Sequence, residues 1–531
     1  MIVYLFTEER FTSNTMPDPI LCAESIQSVN DILDSIKNSK GYTLFLREDI
    51  SAPDIEVIRN ITRGRGDCWH SSDMLVNYPG LYYFNYIKPC WMLNALPAEG
   101  ISYINWRITF DCFLLRNNTI LSIGLLQEHF QSIQVAAMDW GYRAIQKGVI
   151  PVYRPCLFKN RNAIIQKDNT ISLWDQLLFI KQHSPARWQN WALFRINWVE
   201  KISLMKLIKE KNKQQKIIAS AKSSFYQHTN YDIRHDIRPK ISVILITLGR
   251  YKYIDEVIDL LQKQTLLPYE IIIVDGTPVE EAGVALLKKY SGSTIPVIVE
   301  RAITLGQCSQ RNQAIVRSKG DYLFFIDDDM VEVKPDHLAK HWENMKRFKA
   351  GVSSGMPDEV GIAPLDRKNK WVKVSDVFPT NDSLVNKLIL IQAGLFDIKM
   401  DRGQSEDHEL GIRLFKSGAL MVQDPAIQSL HLRALSGGLR THDARKVTYS
   451  SARNKITHRR LPHMTEFYLS LKHHKISEVD EMKLISAFGT FSMRGNILKK
   501  ILKVLVSILY LPQTLHQLNK NISAAKILLI K

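Results

Sequence analysis

Three consecutive aspartates, Asp327 to Asp329, follow the apolar run YLFFI (322–326). The run predicts a buried strand, and the carboxylates at its end repel one another. At ~4 Å and an effective dielectric constant near 20, two like charges cost about 4 kcal/mol. Alternate residues of an extended chain point to the same side, which places Asp327 and Asp329 together. Such oxygen ligands suit Mg²⁺ or Mn²⁺ ions that bridge phosphates; a solvated acidic turn is the alternative.

A second acidic pair, Glu406-Asp407, opens a stretch with helical apolar spacing. A carboxylate within hydrogen-bond reach of a hydroxyl can act as a general base. Acids are also favoured in the first turn of any helix, so the pair alone predicts either a catalytic base or a charged helix start. Two further residues have open interpretations: His431 as a metal or diphosphate ligand or a structural histidine, and Trp371 as a sugar-stacking or a core residue.

Strand and helix patterns alternate ahead of these acids. Continuous apolar runs predict strands at 241–247, 270–276, 296–300 and 321–329, and helical spacing predicts helices at 252–265, 279–290 and 309–320. Repeated units of this length predict a mainly parallel sheet with right-handed crossovers. Ligands of such sheets bind at the carboxyl ends of the strands. Asp275 ends one predicted strand, so we expect it to share an edge with Asp327 to Asp329.

Composition and charge limit the function. The chain has 531 residues, enough for two to four domains, and its net charge of +17 favours an anionic partner such as a nucleotide or a lipid headgroup. No nucleic-acid recognition motif accompanies that charge, so nucleic-acid binding is not expected. Six cysteines without metal-type spacing, no signal-peptide pattern and no run long enough to span a bilayer predict a cytoplasmic protein, soluble or peripheral on the inner face of the membrane.

The N-terminal region contains an internal repeat. Residues 42–49 align with 322–329, and residues 136–148 align with 406–418. The polar positions differ, because Arg47 stands in place of Asp327 and Ala136-Ala137 in place of Glu406-Asp407. No counterpart of the strand that ends in Asp275 is visible. The pattern predicts a truncated copy that kept the scaffold and lost the chemistry.

From Pro239 to about Arg460 the chain resembles the family 2 glycosyltransferases, which are inverting enzymes of the GT-A fold. The ordered set of motifs carries the resemblance over about two fifths of the chain: ISVILITLGR (241–250), EIIIVDGTP (270–278), GQCSQRNQAI (306–315), FFIDDDM (324–330), GLFD (394–397), SEDHELGIRL (405–414), LHLRALSGG (430–438) and YSSARN (449–454). Any one of these motifs alone is weak, but the order makes the set specific.

The resemblance implies a role for each matched residue. Asp329 is the principal metal ligand, Asp327 holds the ribose or a metal-bound water, and Asp275 accepts the imide N–H of uracil. Asp407 is the base, and Glu406 orients it or contacts the acceptor. The full expected set is Thr247, Arg250, Asp275, Arg311, Asp327 and Asp328 for the nucleotide sugar, Asp327, Asp329 and His431 for Mn²⁺ or Mg²⁺, and Trp371 and Glu406 for the acceptor.

Two departures from the family pattern bear on the nucleoside. Gly276-Thr277-Pro278 follows Asp275 where the family usually has a second acid or a small residue. Leu248-Gly249-Arg250 replaces the family's Asn before Arg. UDP is the favoured nucleotide, with its identity open.

The expected architecture is α/β. We expect a degenerate GT-A-like accessory domain over 1–195, a helical basic linker over 196–236, a catalytic GT-A domain with a mixed, mainly parallel sheet over 237–460, and a basic helical region over 461–531. The last fifty residues contain no Asp or Glu, and residues 495–511 combine three lysines with a strong apolar face. This pattern suits a helix on an anionic membrane surface or a core-packed helix with a solvated lysine edge.

The expected activity is metal-dependent transfer of a sugar, with inversion, from a nucleoside diphosphate sugar to a hydroxyl acceptor such as a glycan, in polysaccharide or glycoconjugate synthesis. The alternative is a non-catalytic scaffold that binds glycans or partners. The N-terminal copy would extend the acceptor groove, dock a partner enzyme or form a homo-oligomer.

Overall fold

The structure is a computed structural model that describes residues 1–7, 15–22, 24–71, 100–157, 171–184, 186–196, 200–202, 238–277, 280–361, 371–432, 461–489 and 496–530. Most of the predicted linker (196–236), the end of the LHLRALSGG motif (433–438) and the YSSARN motif (449–454) lie outside these residues.

The N-terminal region is built on one mixed sheet. Its strands are β1 (Ile2–Thr7), β2 (Ile20–Leu21), β3 (Gly41–Leu46), β4 (Cys68–His70), β5 (Tyr103–Ile104), β6 (Cys112–Arg116) and β7 (Pro151–Tyr153). They lie in the order β2-β1-β3-β6-β4-β7-β5, in which only β4 and β7 are parallel neighbours. Its helices are α1 (Ile26–Ile36), α2 (Ile55–Arg63), α3 (Thr119–Ile123), α4 (Ile133–Gln146), α5 (Leu173–His183) and α6 (Ala186–Arg195).

The following region is built on a larger sheet and a small one. The strands are β8 (Ile241–Thr247), β9 (Glu270–Asp275), β10 (Val297–Arg301), β11 (Tyr322–Ile326), β12 (Met330–Val333), β13 (Val352–Ser354), β14 (Asp358–Glu359), β15 (Lys373–Val374), β16 (Asp382–Asn386), β17 (Met421–Gln423) and β18 (Ser429–His431). The eight-stranded sheet has the order β10-β9-β8-β11-β16-β13-β17-β15, and β12-β18-β14 form the small sheet. Its helices are α7 (Tyr251–Gln262), α8 (Glu280–Tyr290), α9 (Gln307–Arg317), α10 (His337–Phe348), α11 (Lys387–Ala393) and α12 (Glu406–Lys416).

The predicted parallel sheet is confirmed. Strands β10, β9, β8 and β11 run parallel, and β16 continues the sheet antiparallel to β11. Every residue of β8 and β9 is buried, as expected for strands covered on both faces. Helix α7 buries Ile254, Val257, Ile258 and Leu261, which are the predicted apolar stripe.

The internal repeat is confirmed by strand order. The sequence β3-β6-β4-β7-β5 has the same directions and neighbours as β11-β16-β13-β17-β15. The residue numbers of β5 and β15, of β6 and β16, and of β7 and β17 differ by the same amount. In the first copy β3 is flanked by the antiparallel β1, whereas β11 is flanked by the parallel β8. The described part of the first copy therefore lacks the parallel half that ends in Asp275.

The C-terminal part of the chain is helical, as expected. Its helices are α13 (Met464–His473), α14 (Ile476–Gly489), α15 (Ile497–Leu509) and α16 (Leu511–Ile530). Across the described residues no single helix meets the length and hydropathy needed to cross a membrane, and α15 and α16 meet them only as a pair bent by 62°.

The two copies also share a buried ion-pair clamp. In the first, Arg143 and His183 contact the Asp139 carboxylate at 2.8 and 2.6 Å, and Arg143 donates to the carbonyl oxygens of Ile123 and Leu125. The second copy repeats the arrangement with other residues: Arg413 and His473 contact Glu409, and Arg413 donates to Ala393 and Gly394. The clamp joins α4 to α5 and α12 to α13, so the repeat extends beyond the sheets.

The copies pack against each other reciprocally. A Cβ on Gly148 would lie 2.8 Å from the carbonyl oxygen of Val372, and a Cβ on the equivalent Gly418 would lie 2.7 Å from that of Ser102. Ser102 and Val372 hold equivalent positions before β5 and β15. Equivalent surfaces that exchange contacts in this way define an approximate two-fold axis, as in an isologous dimer, here within one chain.

We expect the two interface glycines to be equally intolerant of a side chain. Both have φ near +84°, so Gly148→Ala and Gly418→Ala add backbone strain of about 1 kcal/mol and a steric clash with the facing carbonyl. Gly361 has φ +77° with open space around it, so Gly361→Ala reports the strain alone. Urea unfolding should rank both interface variants at least 1 kcal/mol below the control; equal stability of all three would contradict the packing described.

Candidate functional site

The ends of β8, β9 and β11 meet at one edge of the large sheet. The Thr247 hydroxyl, at the end of β8, donates to Asp328 at 2.8 Å. Helix α9 covers the same edge, since the Gln310 side-chain amide donates to the carbonyl oxygens of Thr247 and Val274. Thr247 is also the register partner of Asp275 at the end of β9, so the predicted shared edge for Asp275 and the three aspartates is confirmed.

Arg250 offsets part of the carboxylate repulsion. Its guanidinium lies 3.0 Å from Asp328 Oδ1 and 3.3 Å from Asp329 Oδ2, and all three side chains are buried. Burial raises the pKa of Asp328 to about 6, although Arg250 and Thr247 act in the opposite direction. In this structure Arg250 thus contacts the acidic turn, and its contact with the nucleotide sugar stays a prediction.

Asp327, Asp329 and His431 form a three-residue group with metal-ligand character. His431 Nε2 lies 3.0 Å from Asp329 Oδ1 and 3.9 Å from Asp327 Oδ2, and one ligand atom from each residue lies within 4.8 Å of the others. Burial alone would lower the pKa of His431, but the hydrogen bond to Asp329 and the charges of both aspartates raise it. Two carboxylates and an imidazole fit a divalent cation.

Arg311 connects this group to the second acidic pair. From α9 its guanidinium reaches Asp327 at 3.5 Å and Glu406 at 3.2 Å, and it lies over the Phe396 ring at 5.6 Å. Glu406 is 1 % exposed, so its charge needs a buried cation. The predicted metal group and the predicted catalytic pair therefore belong to one site.

Glu406 and Asp407 open α12 and point to different surroundings. Glu406 is buried against Arg311, whereas Asp407 is partly exposed and accepts the His408 backbone N–H at 2.9 Å. Negative charge in the first turn of a helix is stabilised by the helix dipole. Of the two, Asp407 is the carboxylate that a solvent-borne hydroxyl can reach.

The loop before this pair is strained. Arg402 and Ser405 have φ of +60° and +70°, a region that residues with a side chain seldom adopt. Such strain persists only where surrounding contacts hold it, and it is frequent at functional sites.

Contacts from two helices hold that loop. The Asp401 carboxylate accepts the backbone N–H groups of Cys308 and Ser309 at the start of α9, at 2.7 and 3.2 Å. The Thr465 hydroxyl, on α13, donates to the Gln404 carbonyl and accepts its N–H. Sequence motifs did not single out Asp401 or Thr465, because neither performs chemistry that a motif would mark.

Asp275 is fixed at the end of β9. One carboxylate oxygen accepts the Tyr251 hydroxyl, and the other accepts the Thr277 backbone N–H at 2.8 Å. The Thr277 hydroxyl in turn accepts the Gly249 N–H at 2.8 Å. Thr277 and Gly249, which depart from the family pattern, are thus bonded to each other beside Asp275. Tyr251 was missed from sequence, where it stands one residue before the predicted helix 252–265.

Trp371 lies away from this centre. Its indole N–H donates to the Gln146 carbonyl oxygen at 3.0 Å, and its ring lies beside Gly148, so it takes part in the contact between the two copies. Its predicted acceptor-binding role stays a prediction. Asp376, five residues on, is a further acid that sequence reasoning passed over. Burial raises its pKa to about 6 against the opposing charge of His408.

A second buried cluster braces the strand that carries His431. His337 Nε2 and His341 Nε2 lie 2.7 and 3.0 Å from the same oxygen of Asp382, and the Ser429 hydroxyl donates to the other at 2.9 Å. Both distances are hydrogen bonds if each ring carries its proton on Nε2. Ser429 belongs to β18, so the cluster fixes the approach of His431 to the site.

A mixed α/β sheet whose strand ends gather metal-type carboxylates beside a helix-borne acidic pair has the architecture of the GT-A fold. Residues 242–393 match the Glycosyl transferase family 2 model, so this chain contains a family 2 glycosyltransferase domain.

Curated relatives are named as glycosyltransferases. YwdF of Bacillus subtilis is 33% identical over 102 residues, which are 19% of this chain and 36% of YwdF. YfnE of the same organism is 22% identical over 254 residues, which span 36% of this chain and 64% of YfnE. The chain therefore spans between about a third and two thirds of the length of these relatives.

Solved glycosyltransferases show weaker likeness. A Pyrobaculum calidifontis mannosyltransferase in complex with GDP-Man and Mn²⁺ has a TM-score of 0.37 and 14% identity, covering 56% of this chain and 88% of its own. TarS 1-349 of S. aureus in complex with UDP-GlcNAc has a TM-score of 0.35 and 15% identity, covering 55% and 88%. The GT-A fold of this chain follows from its strand order and from the family match.

Removal of the Arg311 charge should destabilise the protein strongly. Arg311→Gln leaves Glu406 buried without its cation, which costs about 3 to 5 kcal/mol. Arg317, on the same helix, pairs with Glu300 while about half exposed, so Arg317→Gln should cost less than about 1 kcal/mol. Urea unfolding of both variants measures the difference; equal losses would mean that the Arg311 pair is not buried as described.

Asp376 should make stability fall as pH rises. Its folded-state pKa of about 6 exceeds the unfolded value near 4, so the folded state binds the proton more tightly between these pH values. The stability that the neutral Asp376 carboxyl contributes is fully present below pH 4 and is lost as pH rises through 6. The free energy of unfolding of Asp376→Asn, measured relative to wild type by urea unfolding, should therefore rise by on the order of 2 kcal/mol between pH 4 and pH 7. A constant difference across that range would contradict the raised pKa.

Proposed function

We propose that this protein is an inverting, metal-dependent glycosyltransferase that moves a sugar from a nucleoside diphosphate sugar, with UDP the favoured nucleotide, to a hydroxyl acceptor. The observation that carries the proposal is the link made by Arg311 between Asp327 and the Glu406-Asp407 pair at one sheet edge. The family match supports the transferase class, whereas the donor, the inversion and the pathway are our proposals.

The donor would lie along the ends of β8, β9 and β11. Asp275, oriented by Tyr251 and the Thr277 N–H, offers its carboxylate edge to a base N–H. Asp327, Asp329 and His431 would hold the metal, with Mn²⁺ favoured by the imidazole. When bound there, a divalent cation neutralises charge that develops on the departing diphosphate.

Transfer would be a single displacement. Asp407 accepts the proton of the acceptor hydroxyl while that oxygen bonds to the anomeric carbon and the bond from that carbon to the diphosphate oxygen breaks. The acceptor attacks opposite the leaving group, so the configuration inverts and no covalent nucleophile on the protein is needed. Glu406, fixed by Arg311, holds the start of α12 so that Asp407 meets the acceptor.

A hydroxyl acceptor on a glycan would place the enzyme in polysaccharide or glycoconjugate synthesis. The alternative, a non-catalytic scaffold, is favoured only by the first copy, where Arg47 and Ala136-Ala137 replace the acids. The second copy has the acids at all of these positions.

Asp329→Ala should abolish metal-dependent nucleotide binding. Calorimetric titration of UDP, GDP and dTDP with and without Mn²⁺ measures it. Asp321→Ala, at the opposite end of β11 and exposed, is the matched control and should bind as wild type does. Binding of GDP or dTDP alone would change the donor class. The absence of metal-dependent binding by wild type to all three would contradict the proposal.

Asp407→Asn should lower turnover about 10²- to 10⁴-fold while nucleotide affinity stays unchanged, because only the proton acceptor is lost. Nucleoside diphosphate release from a panel of nucleotide sugars with mixed glycan acceptors gives the rate. The exposed Asp480→Asn is the control. Nucleotide binding without transfer to any acceptor would favour the scaffold.

A further inference from the structure

Helix α15 presents its apolar side outward. Eight of its residues are exposed large hydrophobics, from 39 % exposure at Val504 to 77 % at Leu509: Ile497, Leu498, Ile501, Leu502, Val504, Leu505, Ile508 and Leu509. The buried residues of the same helix are Lys503 and Ser507. A surface helix of a globular protein normally has the reverse orientation.

The exposed residues form one continuous face. At 100° per residue they span an arc of roughly 160°, and the adjoining Tyr510 is about half exposed. Lys499 and Lys500, both half-buried, flank opposite edges of that arc. Soluble monomers seldom expose apolar patches this extended unless the patch binds something.

The charge around the face selects the occupant. From Met482 to the end of the sequence there are lysines and an arginine but no acid. An apolar arc edged by lysines, on a helix too short to span a bilayer, matches a helix that lies in the headgroup region. Lysines near a bilayer are attracted to anionic lipids. A partner protein would match this face less well unless it placed acids opposite the lysines.

We propose that α15 docks the protein on an anionic lipid surface, with the arc from Ile497 to Leu509 inserted and the lysines at the headgroups. This goes beyond the proposed transfer reaction and does not depend on it. Residues 495–511 have two interpretations from sequence, a helix on a membrane surface and a core-packed helix. The structure favours the first, because the apolar face of α15 does not pack on the core.

The test is co-sedimentation of the full-length protein with vesicles of phosphatidylcholine alone and with about a third phosphatidylglycerol. Wild type should bind the anionic vesicles at least tenfold more tightly, and salt should weaken that binding. Ile501→Glu/Leu505→Glu should lose it. Ile303→Glu/Val316→Glu changes the net charge equally at exposed apolar residues elsewhere, and should bind as wild type does.

A second set of variants separates charge from insertion. Lys499→Gln/Lys500→Gln should lower the partition coefficient about fivefold per lysine on anionic vesicles only. Equal binding to both vesicle types, or equal loss in both double-glutamate variants, would overturn the proposal. So would light scattering that finds a dimer abolished by Ile501→Glu/Leu505→Glu, without vesicle binding, because the occupant would then be a second copy.

Discussion

The compensation of three adjacent carboxylates at the end of β11 is the constraint on which the site depends. Asp327 to Asp329 cannot gather at a buried sheet edge unless positive charge meets them. Arg250 arrives from the start of α7, Arg311 from α9 and His431 from β18. Each of these partners comes from a different element, so the carboxylates are compensated only when all three elements are packed in place.

Arg311 connects the two acidic groups of the site, because its guanidinium contacts both Asp327 and Glu406. Its contact with Glu406 couples the carboxylates that would hold a metal to the start of the helix that bears Asp407. The strained loop at 402–405 ends at this helix, and its fastening to α9 and α13 keeps the strain from relaxing. The position of the Glu406-Asp407 pair is thus maintained by contacts that lie outside the pair itself.

The first copy shows what the scaffold retains without that chemistry. Its strand order and its ion-pair clamp are intact, while the acids have been replaced and the parallel half is absent from the described residues. The first copy contacts the second through equivalent surfaces of the two copies. In the second copy this contact covers the start of β15 and the end of α12. Trp371 serves that contact, although its residue type equally suits sugar binding.

The sequence by itself determined the elements and the shared edge. Continuous apolar runs fixed β8, β9 and β11, helical spacing fixed α7 to α9, and the carboxyl-end rule placed Asp275 beside the aspartates, because periodicity and strand direction are local properties. The two short matches between the copies also predicted the repeat. Only the tertiary structure decided which cation faces which acid, that Tyr251, Asp401 and Thr465 support the site, and that α15 turns its apolar face outward. These features join residues far apart in the chain, and a periodic pattern defines the face of a helix but not the direction in which that face points.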